Sequence, residues 1–156
     1  ITNYQSGHDF ELITRKIAEA FGLLVYEIKV TQGDNGIDII VTYKEKVILI
    51  QCKNIETSIS VQTVRVFESA ISRFSSDSLG IIVYNSKKLK EKKYATVKAK
   101  LWAQTSKRNI KICNEEEFVN IIKDFYESDD DDYIELVDYK ADSFNINSLL
   151  GENVSI

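Results

Sequence analysis

At 156 residues, 44% hydrophobic and 28% charged, the chain has the size and balance of one globular domain rather than of a disordered segment. No apolar run approaches the ~20 residues of a membrane span, no signal-peptide pattern opens the sequence, and two cysteines are too few for a disulfide framework. Charge is segregated: residues 1–114 carry 18 Lys and Arg against 11 Asp and Glu (net +7), residues 115–156 carry 2 against 13 (net −11), so the overall −4 says little about nucleic-acid binding.

In chain order, Ser6-Gly7-His8-Asp9 has the form of a capping box, and Phe10, Ile13, Ile17 and Phe21 recur at helical spacing until Gly22. Leu24 to Thr31 reads as a strand, followed by a turn at Gly33–Gly36. Ile37 to Tyr43 and Val47 to Lys53 read as two more strands joined by the polar turn Lys44-Glu45-Lys46. Ser60 to Phe74 is helical, with Val61, Val64, Phe67, Ala70, Ile71 and Phe74 as its buried stripe. Leu79 to Tyr84 is an apolar strand, and a long lysine-rich helix is expected from about Lys87 to Ser106. A short strand at Ile110–Cys113 precedes a last helix, capped by Asn114 and running through Tyr126. Three strands with short links imply an antiparallel meander, and the later strand–helix–strand alternation implies parallel crossovers. The expected fold class is α/β, a mixed sheet of about five strands flanked by helices. The expected domain spans residues 1–128, with an acidic tail over 129–156. Residue 1 is Ile and methionine is absent, so a trimmed chain is expected, from which a targeting segment could have been lost.

The chemistry concentrates in Glu11, Asp38, Gln51 and Lys53. Asp38 closes the run Gly33-Asp34-Asn35-Gly36-Ile37-Asp38, and Gln51-Cys52-Lys53 ends the apolar run Val47-Ile48-Leu49-Ile50. An acid on one strand and an acceptor-x-Lys on the next can hold a divalent metal against a phosphodiester. Strand alternation puts Gln51 and Lys53 on one face. A hairpin between the two strands brings Asp38 close to them, at the end away from its turn. Lysine after four apolar residues is costly unless a carboxylate, metal or phosphate answers its charge. Carboxylate and amide oxygens are hard ligands that suit Mg²⁺ or Mn²⁺, whereas one His and two separated Cys offer no zinc spacing. With Gln51 neutral, weak Mg²⁺ binding in the absence of DNA is expected.

These residues resemble the Mrr-type branch of the PD-(D/E)XK nucleases, the restriction-endonuclease-like fold. Gly7-His8-Asp9-Phe10-Glu11 resembles that family's G-x-x-F-E helix start, Gly33 to Asp38 its G-D-x-G-I-D segment, and Gln51-Cys52-Lys53 its Q-C-K. The resemblance covers Ser6 to about Tyr126 and does not extend to the acidic tail. It implies Asp38 as central metal ligand, Gln51 as a second oxygen donor, Glu11 completing the shell directly or through water, and Lys53 orienting or activating the attacking water. Ile37 stands where the family name has proline, and Gln51 where many relatives have glutamate, although the Mrr branch itself uses glutamine. Small archaeal Holliday junction resolvases share this fold. The implied activity is therefore metal-dependent DNA cleavage, structure-selective on branched or four-way DNA in recombination and repair, by a homodimer without a small-molecule cofactor. The runner-up is a modification-dependent restriction nuclease domain, and a non-catalytic DNA-binding module is the alternative from another class.

Lys87, Lys88, Lys90, Lys92, Lys93 and Lys98, with Lys100, Lys107, Arg108 and Lys111, form a basic stretch interrupted by Glu91, which is read as a phosphate-contacting surface rather than a solvated helix face. Arg65 and Arg73 on the second helix could reach phosphate. Tyr94 and Trp102, near Val97 and Leu101, are read as core packing rather than base stacking. His8 is read as an exposed capping-turn residue. Glu115–Glu117 suit the first turn of the last helix, and Asp129–Asp132 a solubilising tail. Cys52 and Cys113 are read as buried thiols of a reduced, intracellular protein, nuclear if eukaryotic and otherwise cytoplasmic.

Overall fold

The computed structural model describes residues 3–20, 24–27, 36–43 and 45–127. The elements are α1 (Asn3–Ala20), β1 (Leu24–Glu27), β2 (Ile39–Tyr43), β3 (Lys46–Lys53), α2 (Val61–Ile71), β4 (Leu79–Tyr84), α3 (Val97–Thr105), β5 (Asn109–Asn114) and α4 (Glu115–Glu127). They form one five-stranded sheet in the order β1-β2-β3-β4-β5. β1, β2 and β3 are an antiparallel meander, with Ile39 opposite Ile50 and Tyr43 opposite Lys46. β3, β4 and β5 run parallel, with Lys53 beside Tyr84 and Tyr84 beside Asn114, so three strands end together at one edge of the sheet. The mixed α/β architecture is the expected one.

Each sheet face is buried by a pair of helices. Leu49, Ile40, Ile82 and Ile110 pack with Val64, Phe67 and Ile71 of α2 and Ala99 and Ala103 of α3. Ile39, Val41, Ile48, Ile50 and Ile81 pack with Phe10 and Ala18 of α1 and Phe118 and Ile122 of α4. Burial on both faces explains why β3 and β4 read as unbroken apolar runs rather than as alternating ones. Helix α2 lies so close to β4 that a Cβ on Gly80 would meet Ile71 Cδ1 and Phe67 Cε2 at 2.9 Å each.

Several boundaries differ from those expected. The Ser6–Asp9 capping box lies inside α1, which begins at Asn3. Helix α2 starts as read, with Ser60 accepting from the Thr63 N–H at 3.3 Å, but ends at Ile71 rather than Phe74. The Arg108 guanidinium satisfies the carbonyls beyond that end, reaching Ile71, Phe74 and Ser75 at 2.9, 3.0 and 2.7 Å. The largest correction concerns the lysine-rich helix: only Val97–Thr105 is helical. Asn85 draws Lys87 to Leu89 into a turn, and a parallel bridge between Ile59 and Ala95 holds Tyr94–Thr96 extended. Thr96 then starts the helix afresh by accepting from the Ala99 N–H at 3.1 Å. Helix α4 opens on a reciprocal box: Asn114 Oδ1 accepts from the Glu117 N–H at 2.8 Å, and Glu117 Oε1 from the Asn114 N–H at 3.2 Å. The expected Gly22 stop, the strand beyond Glu27, the Gly33–Asn35 part of the turn and the acidic tail lie outside the described residues.

Candidate active site

The site is built where β2 parts from β3. Gly36, at φ +84° with its open side against Phe67 and Val66 of α2, turns the chain into Ile37-Asp38. Only glycine enters that conformation without strain. The Asp38 N–H donates to the Ile50 carbonyl at 2.8 Å, although Ile50 is already the partner of Ile39, so the ladder breaks at this point. Asp38 Oδ2 then accepts from the Cys52 N–H at 2.7 Å. A side-chain carboxylate thus closes a bond that a strand would otherwise make, and one Asp38 oxygen is fixed at the level of Gln51-Cys52-Lys53.

Strand alternation places Gln51 and Lys53 on the α2 face and Cys52 on the α1 face. Gln51 is only 3% exposed, and its Oε1 is buried without a hydrogen-bond partner among the described residues. An orphaned buried carbonyl is uncommon, because leaving one costs ~1–3 kcal/mol. Lys53 is half-buried beside it. Glu11 lies half-buried on α1, one residue after the core residue Phe10. On the α1 face, burial pushes the Cys52 thiol well above its ordinary value, the Asp38 charge raises it further and Glu11 adds to this, against a hydrogen bond with Thr14. Both carboxylates therefore act on the neighbourhood of Cys52. Among the described residues no three His, Cys, Asp or Glu side chains gather into a metal-holding group. The candidate donor set is two carboxylates and one amide carbonyl, all hard oxygens. A buried carbonyl without a partner fits a divalent ion of the Mg²⁺ or Mn²⁺ class, and the donors do not fit zinc.

The basic segment adjoins this edge of the sheet. Asn85 N–H donates to the Lys53 carbonyl at 3.1 Å, Lys90 N–H to the Glu56 carbonyl at 2.9 Å, and Ile59 N–H to the Tyr94 carbonyl at 2.8 Å, so residues 85–96 run alongside residues 53–59. Lys87, Lys92, Lys93 and Lys98 are exposed, and Lys88 is half-buried. Lys90 is exposed too, with its ammonium 3.4 Å from Glu56.

The model of the Mrr_cat restriction endonuclease family matches residues 3–122. The chain belongs to that family. It is a PD-(D/E)XK nuclease domain of the restriction-endonuclease type. Comparison with curated proteins and with solved structures returned no match.

Within this nuclease domain, several other basic and aromatic residues make contacts of their own. Arg108 caps α2 instead of facing solvent for phosphate. Lys100 sits over the Tyr94 ring at 4.4 Å, and Arg65 over the Trp102 ring at 5.2 Å. Arg73 is exposed just past the far end of α2, roughly 16 Å of helix from Ser60, so the fold does not bring it to the site. Tyr94 packs as expected, stacked on Tyr84 with centroids 5.1 Å apart. Trp102 does not join the core: it is 39% exposed and donates to Glu68, while Val97 and Leu101 are 68% and 56% exposed. The His8 side chain lies outside what is described. Sequence reading missed Asn54 and Asn85, whose amides meet at 2.9 Å beside Lys53. Asn-Ser after an apolar strand is a turn signal, and it could have flagged Asn85. No helix among the described residues is long and apolar enough to cross a membrane.

Proposed function

We propose that this nuclease domain cleaves DNA phosphodiester bonds with Mg²⁺, for which Mn²⁺ would substitute, through Asp38, Gln51, Glu11 and Lys53. The observation that carries the reading is the buried Gln51 Oε1, which has no partner among the described residues and is next in sequence to the Cys52 amide that fixes Asp38. Asp38 and Gln51 would hold the ion, with Glu11 completing its shell directly or through water. When bound, such an ion supplies Lewis acidity and a template for in-line attack on phosphorus. Lys53 would hold the attacking water by hydrogen bond and offset the charge that develops on the phosphoryl oxygens.

The adjoining lysines would position the DNA. Lysine is a compact point charge that neutralises phosphate without reading bases, so selectivity would come from DNA shape. We propose cleavage of branched DNA, four-way junctions foremost, by a homodimer that places one site on each of two strands. The second reading is a modification-dependent restriction activity of Mrr type, for which the family match supports the restriction-endonuclease type. Labelled four-way junction, flap and methylated or unmethylated linear duplex, incubated with Mg²⁺ or Mn²⁺, separate the two. Paired symmetric cuts confined to the junction support the first reading. Cutting limited to modified linear duplex replaces it with the second. Binding without cutting on every substrate would leave a DNA-binding module on a nuclease fold.

A further inference from the structure

Asn85 follows directly on β4 and makes five hydrogen bonds to two different parts of the molecule. Its N–H donates to the Lys53 carbonyl at 3.1 Å, and its Nδ2 donates to Asn54 Oδ1 at 2.9 Å. Its Oδ1 accepts from the Lys87 N–H at 3.1 Å, and its carbonyl accepts from the Lys88 and Leu89 N–H groups at 3.2 Å each. The first two bonds fix the end of β3 that carries Lys53. The other three form the turn that presents Lys87, Lys88 and Lys90. That turn is also held at its flanks, where Glu115 takes the Ser86 N–H at 3.0 Å together with the Ser86 hydroxyl, and the Glu56 carbonyl takes the Lys90 N–H at 2.9 Å. Burial alone would raise the Glu115 carboxyl, but the Ser86 donors and the Lys87 charge outweigh it and hold Glu115 below its ordinary value, so it stays an acceptor at neutral pH.

A strand end needs only the turn bonds to finish. The Asn85–Asn54 amide pair runs the other way, toward the residue next to Lys53, and it is half-buried where a bond keeps fixed geometry. We propose that Asn85 is a positioning residue for cleavage: it holds the Lys53 end of β3 in register with the lysine turn, so that phosphates bound by the turn set which phosphodiester meets Lys53. The role rests on the endonuclease reading above. Groups that orient a site from behind change activity by ~10–100-fold when removed, without touching substrate.

Two variants separate the bonds. Asn54→Ala removes the partner of Asn85 Nδ2 and leaves the turn, whereas Asn85→Ala removes that bond and also the Oδ1 bond to the Lys87 N–H, keeping the two carbonyl bonds of the turn. With labelled DNA and Mn²⁺, Asn54→Ala should lower kcat about tenfold, with KM and the slope of log affinity against log salt unchanged. Asn85→Ala should lower kcat by at least as much, and should also flatten the salt slope by about one phosphate contact. The double variant should be no slower than Asn85→Ala, since one bond is lost in both. Wild-type kcat in both single variants, losses that merely follow a fall in melting temperature, or additive losses would overturn the proposal. If the wild-type protein binds DNA but cuts none, the endonuclease reading itself fails. The salt slope then decides the placement of the turn: a flatter slope in Asn85→Ala upholds it, and an unchanged slope overturns it.

Discussion

Gln51→Met should make the metal-free protein more stable while abolishing cleavage. Gln51 is 3% exposed, and its Oε1 is buried without a partner among the described residues. An unsatisfied buried acceptor costs ~1–3 kcal/mol, and methionine keeps the length of the side chain while removing that oxygen. Allowing for imperfect repacking, the gain is about 1–2 kcal/mol. At ~2.1 cal/mol/K of unfolding entropy per residue, a domain the size of the matched region moves ~4 °C per kcal/mol, so the melting temperature in a chelator should rise by ~4–8 °C. Adding Mn²⁺ should then raise the wild-type midpoint by more than the variant's, because a ligand of the native state stabilises in proportion to ln(1 + [L]/Kd) and the variant has lost a donor. Differential scanning fluorimetry with and without Mn²⁺ reads both shifts. A variant that melts below the wild-type protein in chelator would show that Gln51 Oε1 is satisfied without a ligand, and the argument from the orphaned carbonyl would fall.

Three further outcomes follow from the same geometry. Gly36→Ala forces a Cβ into the φ +84° conformation that feeds Asp38, and should cost ~1 kcal/mol in urea unfolding together with a larger proportional loss of cleavage; unchanged kcat would refute the role of this turn. Arg108→Ala removes three charge-assisted hydrogen bonds at the end of α2, leaving the Ile71 and Ser75 carbonyls their bonds from the Phe74 and Ser78 N–H groups, and should cost ~1.5–3 kcal/mol while leaving the salt slope of DNA binding unchanged; a flatter slope would return Arg108 to the DNA surface. At high pH, burial and then the Glu117 charge push Cys113 up to about 12, and burial and then Glu117 push Tyr84 up to about 12. Unfolding lets both ionise at ordinary values of 9.0 and 10.0, so stability from these groups is complete below pH 9 and is lost as pH rises to about 12. Cys113→Val and Tyr84→Phe should each flatten that decline in urea midpoints between pH 8.5 and ~11.5, and a decline as steep as the wild type's would contradict it.

The strands were legible because burial on both faces writes itself as unbroken runs such as Val47–Ile50 and Leu79–Val83. The Asp38–Cys52 juxtaposition was legible in outline, since a short hairpin leaves Asp38 few places to go. The lysine stretch was not. Helix propensity favours Lys87–Lys100, yet Asn85, Ser58 and the Ile59–Ala95 bridge hold that segment in turns and extended chain through contacts about 30 residues away in sequence. Trp102 misled for a related reason: its neighbours Val97 and Leu101 are apolar at helical spacing but face outward. Arg108 looked like one more basic residue, because nothing in its surroundings in sequence marks a helix end more than 30 positions earlier.

Divalent-metal cleavage through Lys53 is tested by incubating labelled DNA with the wild-type protein and with Lys53→Ala, in Mg²⁺, Mn²⁺ and EDTA, with binding followed in parallel. Cutting should require a divalent ion and be lost in Lys53→Ala, with DNA affinity nearly intact. Cutting that persists in EDTA, or at the wild-type rate in Lys53→Ala, would contradict it.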